Sequence, residues 1–145
     1  MFVHGTCVAI RIRTKWHAVL LRGESGAGKS DLALRLIDEG ARLVADDQTH
    51  LAKMGRALLC TAPPALKSMI EVRGLGIVAL PRVKCLPGAK LSLLVDLSAP
   101  QKIERLPEPQ TEPILGVTLP RLSLAPFEAS ASAKLRLALG RIVAP

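Results

Sequence analysis

In residues 6–13, TCVAIRIR, Val8, Ile10 and Ile12 fall on one face of an extended chain and Ala9, Arg11 and Arg13 on the other. That period of two predicts a strand buried on one side. HAVLLR (17–22) follows after a short polar turn, so the two runs predict a hairpin. The period then lengthens. In SDLALRLIDEG (30–40), Leu32, Leu36 and Ile37 share a face, Asp31 stands in the first turn and Gly40 is a stop signal, which together predict a helix. ARLVADD (41–47) reads as a strand ending on two acids, MIEVRGLGIVAL (69–80) as strand pieces broken by Gly-Leu-Gly, and KLSLLVDLS (90–98) as a strong strand. ASASAKLRLALGRI (129–142) predicts a second helix with Leu135, Leu139 and Ile142 inward. The proline-rich stretches TAPPALK (61–67) and LPEPQTEP (106–113) read as loops. Many strands and two evident helices predict an α/β domain with a mixed central sheet, spanning residues 1–145 as one unit.

Composition narrows this picture. The chain has 145 residues, of which 49% are apolar, enough for one domain with a sizeable core. Trp16, Phe2 and Phe127 are the only aromatics, so that core is aliphatic. Three cysteines, Cys7, Cys60 and Cys85, fit neither a zinc pattern nor a disulfide framework and read as buried thiols in a reducing compartment. No run approaches the length of a membrane span, and the start MFVHGTCVAIRIR carries charge where a signal peptide is apolar, so a cytoplasmic protein without a membrane partner is expected. The net charge of +8 raises the question of nucleic acid. Scattered cations and scarce aromatics argue against it, and phosphates with an acidic protein partner are the simpler account.

The candidate chemistry begins at GESGAGKS, where Gly23, Glu24, Ser25, Gly26, Ala27, Gly28, Lys29 and Ser30 satisfy G-x-x-x-x-G-K-[ST]. The glycines let successive backbone N–H groups turn toward an anion, and the following helix presents its N-terminal amides and dipole to phosphate. Lys29 can reach terminal phosphates and the Ser30 hydroxyl can ligate Mg²⁺. A predicted strand before the loop and a helix after it supply the expected context for a nucleotide. Two acidic sites then compete for the metal and the nucleophile. One is Asp96, at the end of LSLLVD, and the other is the pair Asp46 and Asp47. One member of such a pair can orient a metal while its neighbour accepts a hydroxyl proton. Either site reads equally well as a solvated strand end, and spacing does not decide between them. In IEVRGLGI (70–77), Glu71 and Arg73 would lie on one face of a strand, with glycines beyond that permit close approach to a ligand.

GESGAGKSDLALRLIDEGARLVADD followed by IEVRGLGI closely resembles the catalytic domain of HPr kinase/phosphorylase, over about residues 4–120. The EVRGLGI element is far more specific to that family than the phosphate loop. The resemblance implies a P-loop domain similar to the phosphoenolpyruvate carboxykinase core, usually assembled as a homo-oligomer, a hexamer. It implies ATP and Mg²⁺ as cofactors and a serine of HPr, or of a paralogous phosphocarrier in a phosphotransferase system, as acceptor. On this basis Lys29 contacts the phosphates, Ser30 and Glu71 serve the metal, Asp47 is the base that takes the serine proton and Asp46 supports metal or substrate. Arg105, in IERL (103–106), matches an arginine that contacts phosphate, although Glu104 replaces the family's aspartate. His4, in HGT, matches an active-site histidine, and Asp96 becomes structural.

Departures from the family pattern carry their own expectations. The chain starts at the catalytic domain, as in a short form without the N-terminal regulatory domain. An arginine-bearing element expected near residues 125–130 is replaced by APFEAS, which counts against the reverse, dephosphorylating activity. That change also motivates an alternative: a nucleotide-sensing regulator that binds the phosphocarrier and transfers little. A small-molecule kinase would require EVRGLGI to be coincidental. Retention of Asp46, Asp47 and Glu71 favours the protein kinase.

Overall fold

The computed structural model describes residues 1–144. In chain order the elements are β1 (Phe2–His4), β2 (Thr6–Ile12), β3 (Lys15–Arg22), α1 (Lys29–Asp38), β4 (Arg42–Ala45), β5 (Gln48–Met54), β6 (Ala57–Thr61), β7 (Met69–Val72), β8 (Gly76–Ala79), β9 (Ala89–Leu97), β10 (Gln110–Ile114), β11 (Val117–Leu124) and α2 (Ala131–Ile142). Nine strands form one mixed sheet, seven of them along the path β1-β5-β6-β9-β3-β2-β4, with β11 and then β10 branching from β9. One edge of β9 takes β3 in parallel; the other takes β6 at its start and β11, in parallel, at its end. β7 and β8 form a separate hairpin.

Both faces of the sheet are covered. On one, Val8, Ile10, Val19, Leu21, Leu93 and Val95 pack against Leu32 and Leu36 of α1 and Leu135 and Leu139 of α2. On the other, Cys7, Ala9, Leu20 and Leu94 meet Leu51, Leu58 and Cys60 where the sheet curls over itself. β2 is therefore buried on both faces from Thr6 to Ile10, not on one as its alternation predicts. Small Cys7 and Ala9 do not read as a buried face beside Arg11 and Arg13, yet they fit the tight inside of the curl.

The hairpin β2–β3, the helix ending at Gly40 (φ +109) and the strands around 69–80 and 90–98 stand where the pattern puts them. Three expectations change. Residues 110–114 are strand β10, not loop; β10 pairs only with β11, so Pro113 costs no ladder bond on its free edge. Ile142 is 40% exposed at the end of α2, because the apolar face ends with Leu139. Strand β4 stops at Ala45, leaving Asp46 and Asp47 in the turn beyond it.

Candidate functional site

Strands β3, β9 and β11 run parallel, and the loop 23–28 leaves the carboxyl end of β3, where ligands bind in open α/β sheets. Gly26 (φ +83) and Gly28 (φ +100) adopt left-handed backbone that a side chain would strain, so the loop's turn depends on them. Lys29 is buried, and its ammonium donates to the Gly23 carbonyl (2.8 Å) and the Glu24 carbonyl (2.9 Å). An ammonium has three protons, so one remains for a phosphate oxygen.

Asp46 ties the surroundings together. Its Oδ1 accepts from the Thr6 hydroxyl (2.9 Å) and the Ser30 hydroxyl (2.7 Å), and its Oδ2 from the Glu71 amide (2.8 Å). One buried carboxylate thus joins β2, the first turn of α1 and the β7–β8 hairpin. Because Ser30 spends its proton on Asp46, its oxygen lone pairs are left for a cation. Asp47 differs in every respect. Its carboxylate is 64% exposed and its φ is +65. The Gln48 amide donates to the Asp46 carbonyl across it (2.7 Å), a strained γ-turn with positive φ. Such strain, of roughly 1–3 kcal/mol, persists only where the surroundings impose it. Pairing of β1 with β5 places His4 opposite Gln48, and Gly5 donates to the Asp47 carbonyl (2.9 Å), so His4 Nδ1 stands 3.4 Å from Asp47 Oδ1.

A cavity of about 330 Å³ brings these parts together: Ser25, Gly26, Gly28, Lys29 and Ser30 of the loop line it with Asp47, Glu71 and Arg73. Arg73 reaches it from the turn after β7, one residue beyond the strand on which Glu71 lies, so the two are not strand neighbours on one face. The larger cavity, about 550 Å³, lies between β11, α2 and the 102–110 segment and holds none of the loop residues. Glu104 lines that second cavity and Arg105 is exposed near it, so the 103–106 element stands apart from the phosphate loop. Sequence similarity alone carried Arg105 to the site; the coil it occupies leads into β10.

Asp96 is engaged elsewhere. Arg22 grips both its oxygens (2.8 and 3.1 Å) and both oxygens of Glu112 (2.7 and 2.8 Å), with Arg121 3.4 Å from Glu112. Arg22 holds the Glu112 carboxyl below its ordinary range, and Glu112 and Asp96 in turn raise the guanidinium. This network fixes β3, β9 and β10 behind the first glycine of the loop. Two site residues escaped the sequence reading. Thr6, fully buried, orients Asp46, and its signal was a hydroxyl within an apolar run. Phe127 lines the cavity over Gly28, and its signal was its rarity as an aromatic.

The residues fit a divalent cation through Ser30, Glu71 and the neighbouring acids, although among the described residues no three His, Cys, Asp or Glu side chains are already gathered as a metal cluster. No helix among the described residues is long and apolar enough to cross a membrane.

The chain is similar in sequence and in fold to known proteins. The chain is 36% identical over 115 residues to the HPr kinase/phosphorylase of Limosilactobacillus reuteri (strain DSM 20016), covering 73% of this chain and 36% of that protein. It is 38% identical over 115 residues to that of Geobacillus thermodenitrificans, with 73% and 37% covered. It therefore spans just over a third of the length of these relatives. The structure of the HPr(Ser) kinase/phosphatase from Coxiella burnetii superposes with a TM-score of 0.80 at 28% identity, covering 97% of this chain and 94% of that one. The mixed α/β fold with its curled sheet is thus that of an HPr kinase/phosphatase. The model of the HPr Serine kinase C-terminal domain matches residues 1–135, and the chain belongs to that family.

Proposed function

We propose that residues 1–145 form the P-loop catalytic domain of a cytoplasmic, ATP- and Mg²⁺-dependent kinase that phosphorylates a serine of HPr or a paralogous phosphocarrier. The observation that carries this reading is the convergence, in one cavity, of the phosphate loop with an exposed, strained carboxylate. The loop amides and the third proton of Lys29 bind and orient the phosphates of the nucleotide, an arrangement that supports the expected kinship with the phosphoenolpyruvate carboxykinase core. Bound Mg²⁺ would offset charge on the transferred phosphoryl group, held by Ser30 and Glu71.

Asp46 already accepts three hydrogen bonds, so it positions Ser30 and the hairpin instead of taking a proton. Asp47 keeps its carboxylate open at the cavity and accepts the proton of the incoming serine hydroxyl as that oxygen attacks. His4, beside it, orients the carboxylate. Positioning and electrostatics supply most of the acceleration in phosphoryl transfer, which is what these groups provide. Arg105 stands outside the cavity and has no assigned step. A homo-oligomer, hexameric as is usual in the family, is the expected assembly.

Phe127, in the stretch where an arginine was expected, favours the second reading, a regulator that binds nucleotide and phosphocarrier with little transfer. One experiment separates the two. HPr and its paralogue are incubated with the protein, Mg²⁺ and ATP, and analysed by mass spectrometry beside an Asp47→Asn variant. A single serine phosphate, lost in the variant, is expected. Absence of transfer to either carrier while ATP still binds would favour the regulator.

A further inference from the structure

Resting on the nucleotide reading above, we infer that Phe127 is the platform on which the nucleobase of the bound nucleoside triphosphate stacks. The chain has only three aromatic side chains, and two are engaged: Phe2 packs edge-on with His50, and Trp16 lies under the Arg42 guanidinium at 4.6 Å. Phe127 is 70% exposed at the mouth of the phosphate-loop cavity. Its ring meets the loop by an edge: a Cβ built on Gly28 would lie 2.8 Å from Cζ and 3.1 Å from Cε1. With 70% of its surface open, the rest of the ring is free to meet a ligand.

The platform is anchored. Arg35 of α1 donates to the Pro126 carbonyl and pairs with Asp31 at 3.1 Å, so the turn carrying Phe127 is tied to the helix that the phosphate loop opens. Asp31 and Leu34, three residues apart on α1 and so on one face, line the cavity with Phe127. The hydrogen bonds divide the site accordingly. Ser30, Asp46 and Glu71 are linked on one side of the loop, toward Asp47, where a phosphoryl acceptor approaches. Arg35 links Asp31 to the Pro126 carbonyl beside Phe127, and Leu34 and the Phe127 ring add apolar surface to the same cavity. An aromatic face of this kind accepts any base and adds affinity for a nucleotide over a bare polyphosphate.

Calorimetric titration of Mg-ATP and of Mg-tripolyphosphate into the wild type and the variants Phe127→Ala, Phe127→Leu and Phe127→Trp tests this. Loss of one base–aromatic stack corresponds to about tenfold in affinity. We expect Phe127→Ala and Phe127→Leu to weaken ATP by that factor while tripolyphosphate is unchanged, and Phe127→Trp to retain wild-type affinity for both. Equal weakening of both ligands would make Phe127 a prop for the loop and overturn the inference, as would no change in either. If the wild type binds neither ligand, the nucleotide reading itself falls and this inference with it.

Discussion

Replacing Asp46 by alanine removes the acceptor of three hydrogen bonds that reach β2, α1 and the β7–β8 hairpin. The three losses are unequal. Ser30 is part-exposed, so water can replace its partner; Thr6 is fully buried and its hydroxyl cannot turn to solvent. The Glu71 amide loses a charged acceptor in a part-buried position. A donor left unsatisfied costs roughly 1–3 kcal/mol, and two such donors, less the recovered solvation of the carboxylate, give about 3 kcal/mol for Asp46→Ala. Asparagine keeps the shape: its carbonyl can take the Glu71 amide while its NH₂ donates to the two hydroxyls, rotated to accept. The charge and the acceptor of the buried Thr6 proton are lost, about 2 kcal/mol. Urea denaturation midpoints at unchanged m-value, with hydrogen exchange at the Glu71 amide, measure both. Equal effects of alanine and asparagine, or an alanine effect below about 0.5 kcal/mol, would refute the claim that this carboxylate holds the site together.

Two further outcomes follow from the geometry. Gly28→Ala should lower stability by about 1–3 kcal/mol and abolish nucleotide binding, since the left-handed backbone (φ +100) and the Phe127 ring both oppose a Cβ; adding Phe127→Ala should return only the part due to the ring, read by thermal unfolding. Because the Arg22 hydrogen bond depresses the Glu112 carboxyl, its contribution to stability is complete above the ordinary value of 4.5 and is lost as pH falls through the lower, folded-state value; Glu112→Gln should flatten that acid limb in denaturation measured from pH 6 downward.

The glycine loop, its helix, the β2–β3 hairpin and the strands carrying the acids were all legible in the sequence, because each depends on local periodicity or on backbone freedom within a few residues. Spacing left the identity of the acid near the loop open, and only the family resemblance pointed to Asp46 and Asp47. Asp96 ends an apolar strand as convincingly as Asp46 follows one, and only the partners decide: Arg22 sits beside Asp96 through parallel pairing of β3 with β9, whereas Ser30 and Thr6 converge on Asp46. His4 reaches Asp47 through the antiparallel pairing of β1 with β5, over a separation in sequence that no spacing rule encodes. Burial of both faces of β2, the strand at 110–114 and the approach of Phe127 to Gly28 depend likewise on the curl of the sheet and the return of the chain across it. The sequence determined by itself which segments can bind phosphate and which bear acids. Tertiary structure alone decided which acid is engaged by three donors and which is left open, because a carboxylate's role is set by the donors that non-local packing brings to it.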